Sequence, residues 1–480
     1  MVQYSSLTAI GVYILILFSI GLLSYRKKQT ASDFLIGSRS LNYWLTAMAA
    51  HASDMSSWLF MGFPVIIFIE GFFYSWLAIG LCIFMFLNWL LIAPKIRVQT
   101  ERYNSLTFSS FFESHFHDTS GMIRIFTAII SLIFYSIYIS AGIIGLGYLV
   151  HSLFGINYFI AISVGILVII PYLFIGGYTT LAWIDLFQAL FLLVVIVAVP
   201  IIVFPMVGGW EGIREAAELK NIPLSMIPNT SPKTLWNIFF LICGWGIGYF
   251  GQPHIITKFM GIRNVSHIKK SMSVGMSWQI IALGSAALIG LLAIAYFPQG
   301  IQNNELIFVQ MVKETFPSII GAFILCAVLG ATISTMDSQI LVLASSLTED
   351  FYKRIFRKNA TSKELLWITR LFILLVTLFA YIIAFFKIGT IYSLVFYAWS
   401  GLGSAFGPLL FFSLYSKTAN KYGAWAGIVV GGGTALIWPL LNPFFPIDIP
   451  NLVPGFLLSS CAIFVVSWMT NEKTKNITYK

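Results

Sequence analysis

Apolar runs of 18 or more residues recur from one end of this chain to the other. Each is long enough to cross about 30 Å of hydrocarbon as a helix. A soluble chain of 480 residues would divide into about three domains. Only 10% of these residues are charged and 58% are hydrophobic, against roughly 25% charged in soluble domains. The expected fold class is therefore an all-α polytopic membrane protein, with residues 1–480 forming a single integral domain. Its spans, about thirteen, fall near 5–24, 41–70, 72–94, 122–150, 157–177, 182–205, 234–257, 271–297, 318–346, 366–387, 391–415, 422–441 and 451–469. The leading MVQYSS carries no basic residue, and the run from Leu7 to Leu23 is longer than the apolar core of a signal peptide. That run is expected to remain as span 1.

The formal net charge of +10 has a membrane explanation. With the N-terminus outside, the loops that become cytoplasmic hold 23 of the 28 Lys and Arg residues, including those at 26–39, 95–124, 258–270, 353–370, 417–421 and 473–480. The opposite side holds Arg214, Lys220, Lys233, Lys313 and Lys387. The asymmetry predicts a multi-pass protein of the plasma (inner) membrane with a cytoplasmic C-terminus. The basic loops then face anionic lipid, and no nucleic-acid partner is expected. Cys82, Cys243, Cys326 and Cys461 stand singly in apolar runs without a CxxC pair, which argues against a disulfide framework or a zinc site. There is no Walker A loop to use ATP, and the glycines of GWGIGYFG (244–251) lie inside a span rather than after a soluble strand. Neither a cofactor nor an enzyme activity is expected.

Three acids, Asp54, Asp185 and Asp337, fall in or near the spans, where a carboxylate costs roughly 2.5–3.5 kcal/mol at a helix centre. Such acids face a cavity or a cation, or are neutralised by a hydroxyl or backbone neighbour and hold helices together. The residues alone leave both readings open. Asp54 sits in HASDMSS (51–57), small and polar, inside a run longer than one crossing needs. A helix that breaks there exposes carbonyl oxygens, which is tolerable only if they line a protein cavity. Oxygen ligands of that kind suit a hard cation.

In GATISTMDSQILVLASS (330–346), Ala331, Ser334, Thr335 and Ser338 recur at i, i+3, i+4 and i+7 on one helical face. Ser345 extends the stripe and Asp337 lies beside it. Hydroxyls without His or Cys suit a weakly held alkali cation rather than zinc; they are equally the ordinary glue between membrane helices. In span 7, Gly244, Gly246, Gly248, Gly251 and Pro253 weaken the helix, while Trp245 and Tyr249 project from one face at i, i+4. That pair reads as a bed for a small, partly apolar solute or as filler in close helix packing. His51 and His254 read as packing or hydrogen-bonding residues. Breaks in spans 2 and 7, five spans apart, point to an inverted-repeat transporter. Repeat one would cover about 41–205 and repeat two about 234–415, with 422–469 as extra spans.

Five segments, GSRSLNYW (37–44), ASDMSSW (52–58), GWGIGYFGQPH (244–254), STMDSQILVLASSLTEDFYK (334–353) and YAWSGLGSAFGPLLF (397–411), closely resemble the sodium/proline symporters of the sodium:solute symporter family. The likeness runs over nearly the whole chain in the same order. It implies a LeuT-like 5+5 inverted-repeat core and sodium-coupled uptake of L-proline by alternating access, with no oligomer implied. On this resemblance sodium is held by the backbone oxygens of Ala52, Met55 and Ala331 and the hydroxyls of Ser334 and Thr335. Asp54 shapes that site or couples it to the solute site, with Arg39 tied to coupling at the cytoplasmic entrance of span 2. Trp245, Tyr249, Pro253, Ser56 and Tyr138 belong to the proline pocket, and a second sodium site would correspond to Asp185, Asp337 and Ser338. Two departures stand out: Ser57 replaces a glycine of the family pattern and His51 a small residue.

The alternative within the class is a sodium-coupled symporter of another small organic solute, such as pantothenate, a sugar or sialic acid. A channel would need a repeated ring of carbonyls or acids, which the chain lacks. A sensor would be expected to carry a signalling domain.

Overall fold

The computed structural model describes residues 2–24, 31–175 and 177–477. Arg26, Lys27, Lys28, Lys480 and residue Gly176 of span 5 lie outside the described residues. Every expected span is helical. Among the described residues, eleven helices are long and apolar enough to cross a membrane, and a bent pair in span 2 makes a twelfth. Tyr158–Ile175 stands where span 5 was expected. The only β-bridge among these residues joins Leu41 to Ile262.

Most spans are unbroken because nothing in them competes with the helix. Span 4 runs as Met122–Phe154 until Gly155 closes it at φ 67°, a left-handed conformation that glycine adopts without strain. Spans 2 and 7 differ. Span 2 forms Tyr43–Met55 and Trp58–Glu70, bent by 49°. The first half is capped by the Asn42 side chain, which accepts from the amide of Leu45 at 2.9 Å. It ends at Ser56, whose φ of 46° and ψ of −168° leave the helix altogether. The Ser56 hydroxyl then accepts from the amide of Trp58 at 3.1 Å and starts the second half.

Span 7 forms Pro232–Gly246, a 3-10 turn over Ile247–Gly251, an extended Gln252, and Pro253–Met260. Proline at the first position of the last piece lacks only an amide proton that would have no partner there. The glycines also allow contact that a side chain would block. A Cβ at Gly251 would lie 2.6 Å from the amide nitrogen of Gly407, so spans 7 and 11 meet backbone to backbone.

Spans 4, 9 and 11 are the most enclosed, and spans 1, 10 and 13 lie on the outside. Outer side chains such as Leu15, Leu22 and Trp468 are exposed, as expected of a lipid-facing surface. Span 1 packs on spans 9 and 6, and spans 12 and 13 pack on each other and on span 11. The N-terminal half of span 2 lies against spans 6, 8 and 9 and against Pro253–Met260, so the two breaks face one another across the bundle.

Candidate ion and solute site

The break in span 2 meets the hydroxyl face of span 9 directly. Ser334 Oγ donates to the carbonyl oxygen of Ala52 at 2.9 Å and lies 3.1 Å from that of Ala331. Thr335 Oγ1 lies 3.4 Å from Ala52 O and 3.2 Å from Ala331 O, and it accepts from the amide of Ser56 at 2.9 Å. Four oxygens are thus gathered in one buried place, from residues some 280 positions apart in sequence. A hydroxyl both donates and accepts, so Ser334 and Thr335 can turn their lone pairs towards a cation that also takes the Ala52 carbonyl. Met55 closes the half-helix beside them.

Asp54 points the other way, to span 7. Tyr249 donates its hydroxyl to Asp54 Oδ2 at 2.5 Å, and Gln279 of span 8 donates to the same tyrosine oxygen at 3.1 Å. Asp54, Met55, Trp58, Leu81, Tyr138, Trp245, Tyr249, Val395 and Trp399 line a small cavity. It admits the centre of a water-sized sphere over about 10 Å³, roughly one water, so the walls must part before a proline-sized solute fits. Rings form its sides: Trp245 lies 5.1 Å from Trp58 and Tyr249 lies 5.0 Å edge-on from Trp399. Tyr138 is buried in the same lining, on span 4.

The remaining candidates fall elsewhere. Pro253 begins the last piece of span 7 and lines a different cavity, with Leu35, Thr107 and Ser346. Arg39 donates to the carbonyls of Thr100 and Ser105 at 2.9 and 3.0 Å. The 13-residue helix Tyr43–Met55 puts it about 20 Å from Asp54. It pins the start of span 2, where Leu41 also pairs with the backbone of Gly261 and Arg263. Asp185 is held by Lys258, Nζ to Oδ2 at 3.0 Å. Asp337 is fully buried on span 9 near Tyr13 of span 1, and Ser338 is buried beside it. Among the described residues no three acid, His or Cys side chains group as a metal site.

One expectation from sequence is corrected. Lys258 counted among loop cations, yet its side chain is 2% exposed, because Asp185 compensates its charge inside the protein. His51 accepts from the Trp89 indole at 3.2 Å, and His254 lies 3.2 Å from the Tyr135 hydroxyl. Residues not anticipated are Asn88, Gln252, Gln279 and Trp399. For the first three, an isolated amide in an apolar run was the only signal; Trp399 had none.

The sodium:solute symporter family matches residues 34–431. The chain belongs to that family. It is 38% identical over 96% of its length to the high-affinity proline transporter PutP of Bacillus subtilis, covering 97% of that protein. It is 36% identical to the sodium/proline symporter of Escherichia coli, over 95% of this chain and 91% of the other. In structure it matches a Na+-coupled sialic acid symporter in a substrate-bound, outward-open state. The TM-score is 0.80 at 17% identity, covering 98% of both chains. This symporter therefore has the LeuT-like fold that its family likeness implied. It is a multi-pass membrane protein.

Proposed function

We propose that this chain carries L-proline into the cell with sodium by alternating access. The observation that carries the reading is the junction of the two broken spans. Ser334 and Thr335 bond to the backbone of the span 2 break, and Asp54, in that same break, bonds to Tyr249 of the span 7 break. Sodium taken by the oxygens of Ala52, Met55, Ala331, Ser334 and Thr335 fixes span 2 against span 9. That positions Asp54, and through Tyr249 it organises the aromatic cavity in which proline lies with Trp245, Ser56 and Tyr138. Pro253 acts by starting the half-helix behind the cavity, and Arg39 by anchoring the far end of span 2. The names of the proline-transporting relatives support the same solute.

In this reading spans 2–6 and 7–11 are the two inverted repeats of one domain, 1–480. The protein lies in the inner plasma membrane with its N-terminus outside, its basic loops and C-terminus cytoplasmic. No catalysis is involved. One charge moved through about 100 mV supplies about 2.3 kcal/mol, and a tenfold sodium gradient adds about 1.4 kcal/mol. Together these support accumulation on the order of several hundred-fold at one ion per solute.

The test is counterflow and uptake of labelled L-proline in proteoliposomes. Saturable uptake that needs an inward sodium gradient, and resists competition by pantothenate, sugars or sialic acid, is the expected result. Uptake indifferent to sodium, or a preference for one of those competitors, rejects it.

A further inference from the structure

The cavity that Pro253 lines continues the solute cavity along the same two spans. Span 4 gives Tyr138 to the solute cavity, and Ser131 and Thr127 to this inner one. Span 7 gives Tyr249 to the first, and Pro253 and Thr257 to the second. Each step is a turn or two of helix. Between them the Tyr135 hydroxyl accepts from the amide of His254 at 2.9 Å. Ser345, which extends the hydroxyl face of span 9, also reaches the inner cavity, and its own hydroxyl is buried with no protein partner. Beyond it, on the side proposed to be cytoplasmic, opens a third cavity of about 480 Å³. Leu106 and Thr107 line both of these cavities, so the segment Leu106–Ser109 is the wall between them.

One buried carboxylate holds that wall. Asp350, at the end of span 9, is fully buried. It accepts from Thr107 Oγ1 at 3.0 Å, from Ser109 Oγ, from Ser346 Oγ at 2.6 Å and from Arg124 at 3.2 Å. The first two donors belong to the wall, the other two to spans 9 and 4. When the wall swings away, the charge keeps Arg124 and Ser346, and the hydroxyls it releases are neutral groups that water can meet. Thr107 also accepts from the amide of Ser110 at 3.1 Å, so the wall and the helix Phe108–His115 form one piece. Asn104 and His117, at the two ends of that piece, have φ of 49° and 51°. Such loop positions are where a flap can pivot.

We infer that Leu106–Ser109 is the inner gate of the transport path and Asp350 its latch, so that solute and ion leave through the inner cavity only after Thr107 and Ser109 release the carboxylate. The inference rests on the symport reading and deepens it.

The test uses the full-length chain with Cys82, Cys243, Cys326 and Cys461 replaced. Ser131→Cys then puts one thiol on the inner cavity, for a membrane-impermeant methanethiosulfonate reagent added from either side without solute. Labelling is expected from the cytoplasmic side alone, and about tenfold faster once Ser109→Ala or Asp350→Asn weakens the latch. Equal rates with and without those changes, or faster labelling from outside, overturns the inference. Should Asp350→Asn fail to fold, Ser109→Ala still decides, because it leaves Arg124 and Ser346 on the carboxylate. The converse variant is Ser109→Cys/Ser346→Cys, at two side chains whose hydroxyls lie 3.4 Å apart. Closing that disulfide should stop proline uptake and reduction should restore it, a recovery that a folding defect would not show. Uptake that continues with the disulfide closed overturns the inference. Labelling needs no proline, so a chain that ignores proline yet labels faster without its latch refutes the solute assignment and leaves the gate standing.

Discussion

The two broken helices solve the same problem with different chemistry. Each break frees carbonyl oxygens that the bilayer interior cannot hydrate. In span 2 the carbonyl of Ala52 is met by the hydroxyls of Ser334 and Thr335. In span 7 the freed carbonyls are met by N–H donors. Trp399 Nε1 donates to Trp245 O at 2.8 Å, Asn88 Nδ2 to Tyr249 O at 3.1 Å and Gln252 Nε2 to Gly248 O at 3.2 Å. An indole or amide N–H can only donate, whereas a hydroxyl can reverse. The first break can therefore exchange its protein partners for a cation, and the second cannot. The second instead presents the faces of Trp245 and Tyr249. A broken helix becomes an ion site only where its carbonyls are answered by groups able to change sides.

The largest effect should follow from removing the reversible partners. Ser334→Ala/Thr335→Ala deletes two hydroxyls, each worth about 1.5–3 kcal/mol to a charged ligand. The sodium concentration for half-maximal uptake is expected to rise by roughly 100-fold or more. Unchanged sodium dependence in uptake assays would abolish the distinction between the breaks.

Next comes the bond that joins them. Tyr249→Phe leaves Asp54 without the tyrosine hydroxyl and Gln279 without its acceptor. A hydrogen bond to a carboxylate contributes about 1.5–3 kcal/mol, so the KM for proline is expected to rise by roughly 30-fold. Sodium half-saturation should rise with it, because Asp54 lies in the break proposed to take the ion. A rise in KM with no change for sodium would show the two breaks working independently.

A smaller effect is expected from the fixed partners. Gln252→Ala unties Gly248 O and Trp399 O. Leaving such buried groups unmet costs about 1–3 kcal/mol, read as a lower unfolding midpoint in detergent and a KM raised about tenfold. Sodium half-saturation should stay within about threefold. A sodium effect as large as that on proline would mean that the second break also touches the ion.

These differences explain what the sequence could and could not disclose. The spans were legible because a bilayer imposes length and apolarity. The break at HASDMSS was legible because small polar residues interrupt an overlong run, and Ala331, Ser334 and Thr335 because helical spacing puts them on one face. Asn88, Gln279 and Trp399 were not, since each is a single residue more than 25 positions from the group it serves, and no local period marks it. Lys258 was misplaced for a related reason. A cation near the end of an apolar run looks like loop, and only the fold brings Asp185, 73 positions earlier, into contact with it.

The smallest effect is expected at Ser57, where the family resemblance implies glycine. The strain of the break resides next door: Ser56 has φ 46°, whereas Ser57 has φ −58° and ψ −20°, ordinary helical values. Glycine's freedom therefore gains nothing at 57 and costs roughly 0.5–1 kcal/mol in chain entropy. Against this, the Ser57 hydroxyl is buried with no protein partner, so deleting it relieves a comparable penalty. Room for the side chain comes from Gly145 of span 4, where an added Cβ would lie 2.8 Å from that of Ser57. Ser57→Gly should leave stability within about 1 kcal/mol and sodium half-saturation within about threefold. Gly145→Ser should disturb both more, by driving span 4 into the break. If Ser57→Gly alone shifted sodium tenfold, the shape of the break proposed to take the ion would be set by residue 57, and the tie between Ser56 and Thr335 would lose its role.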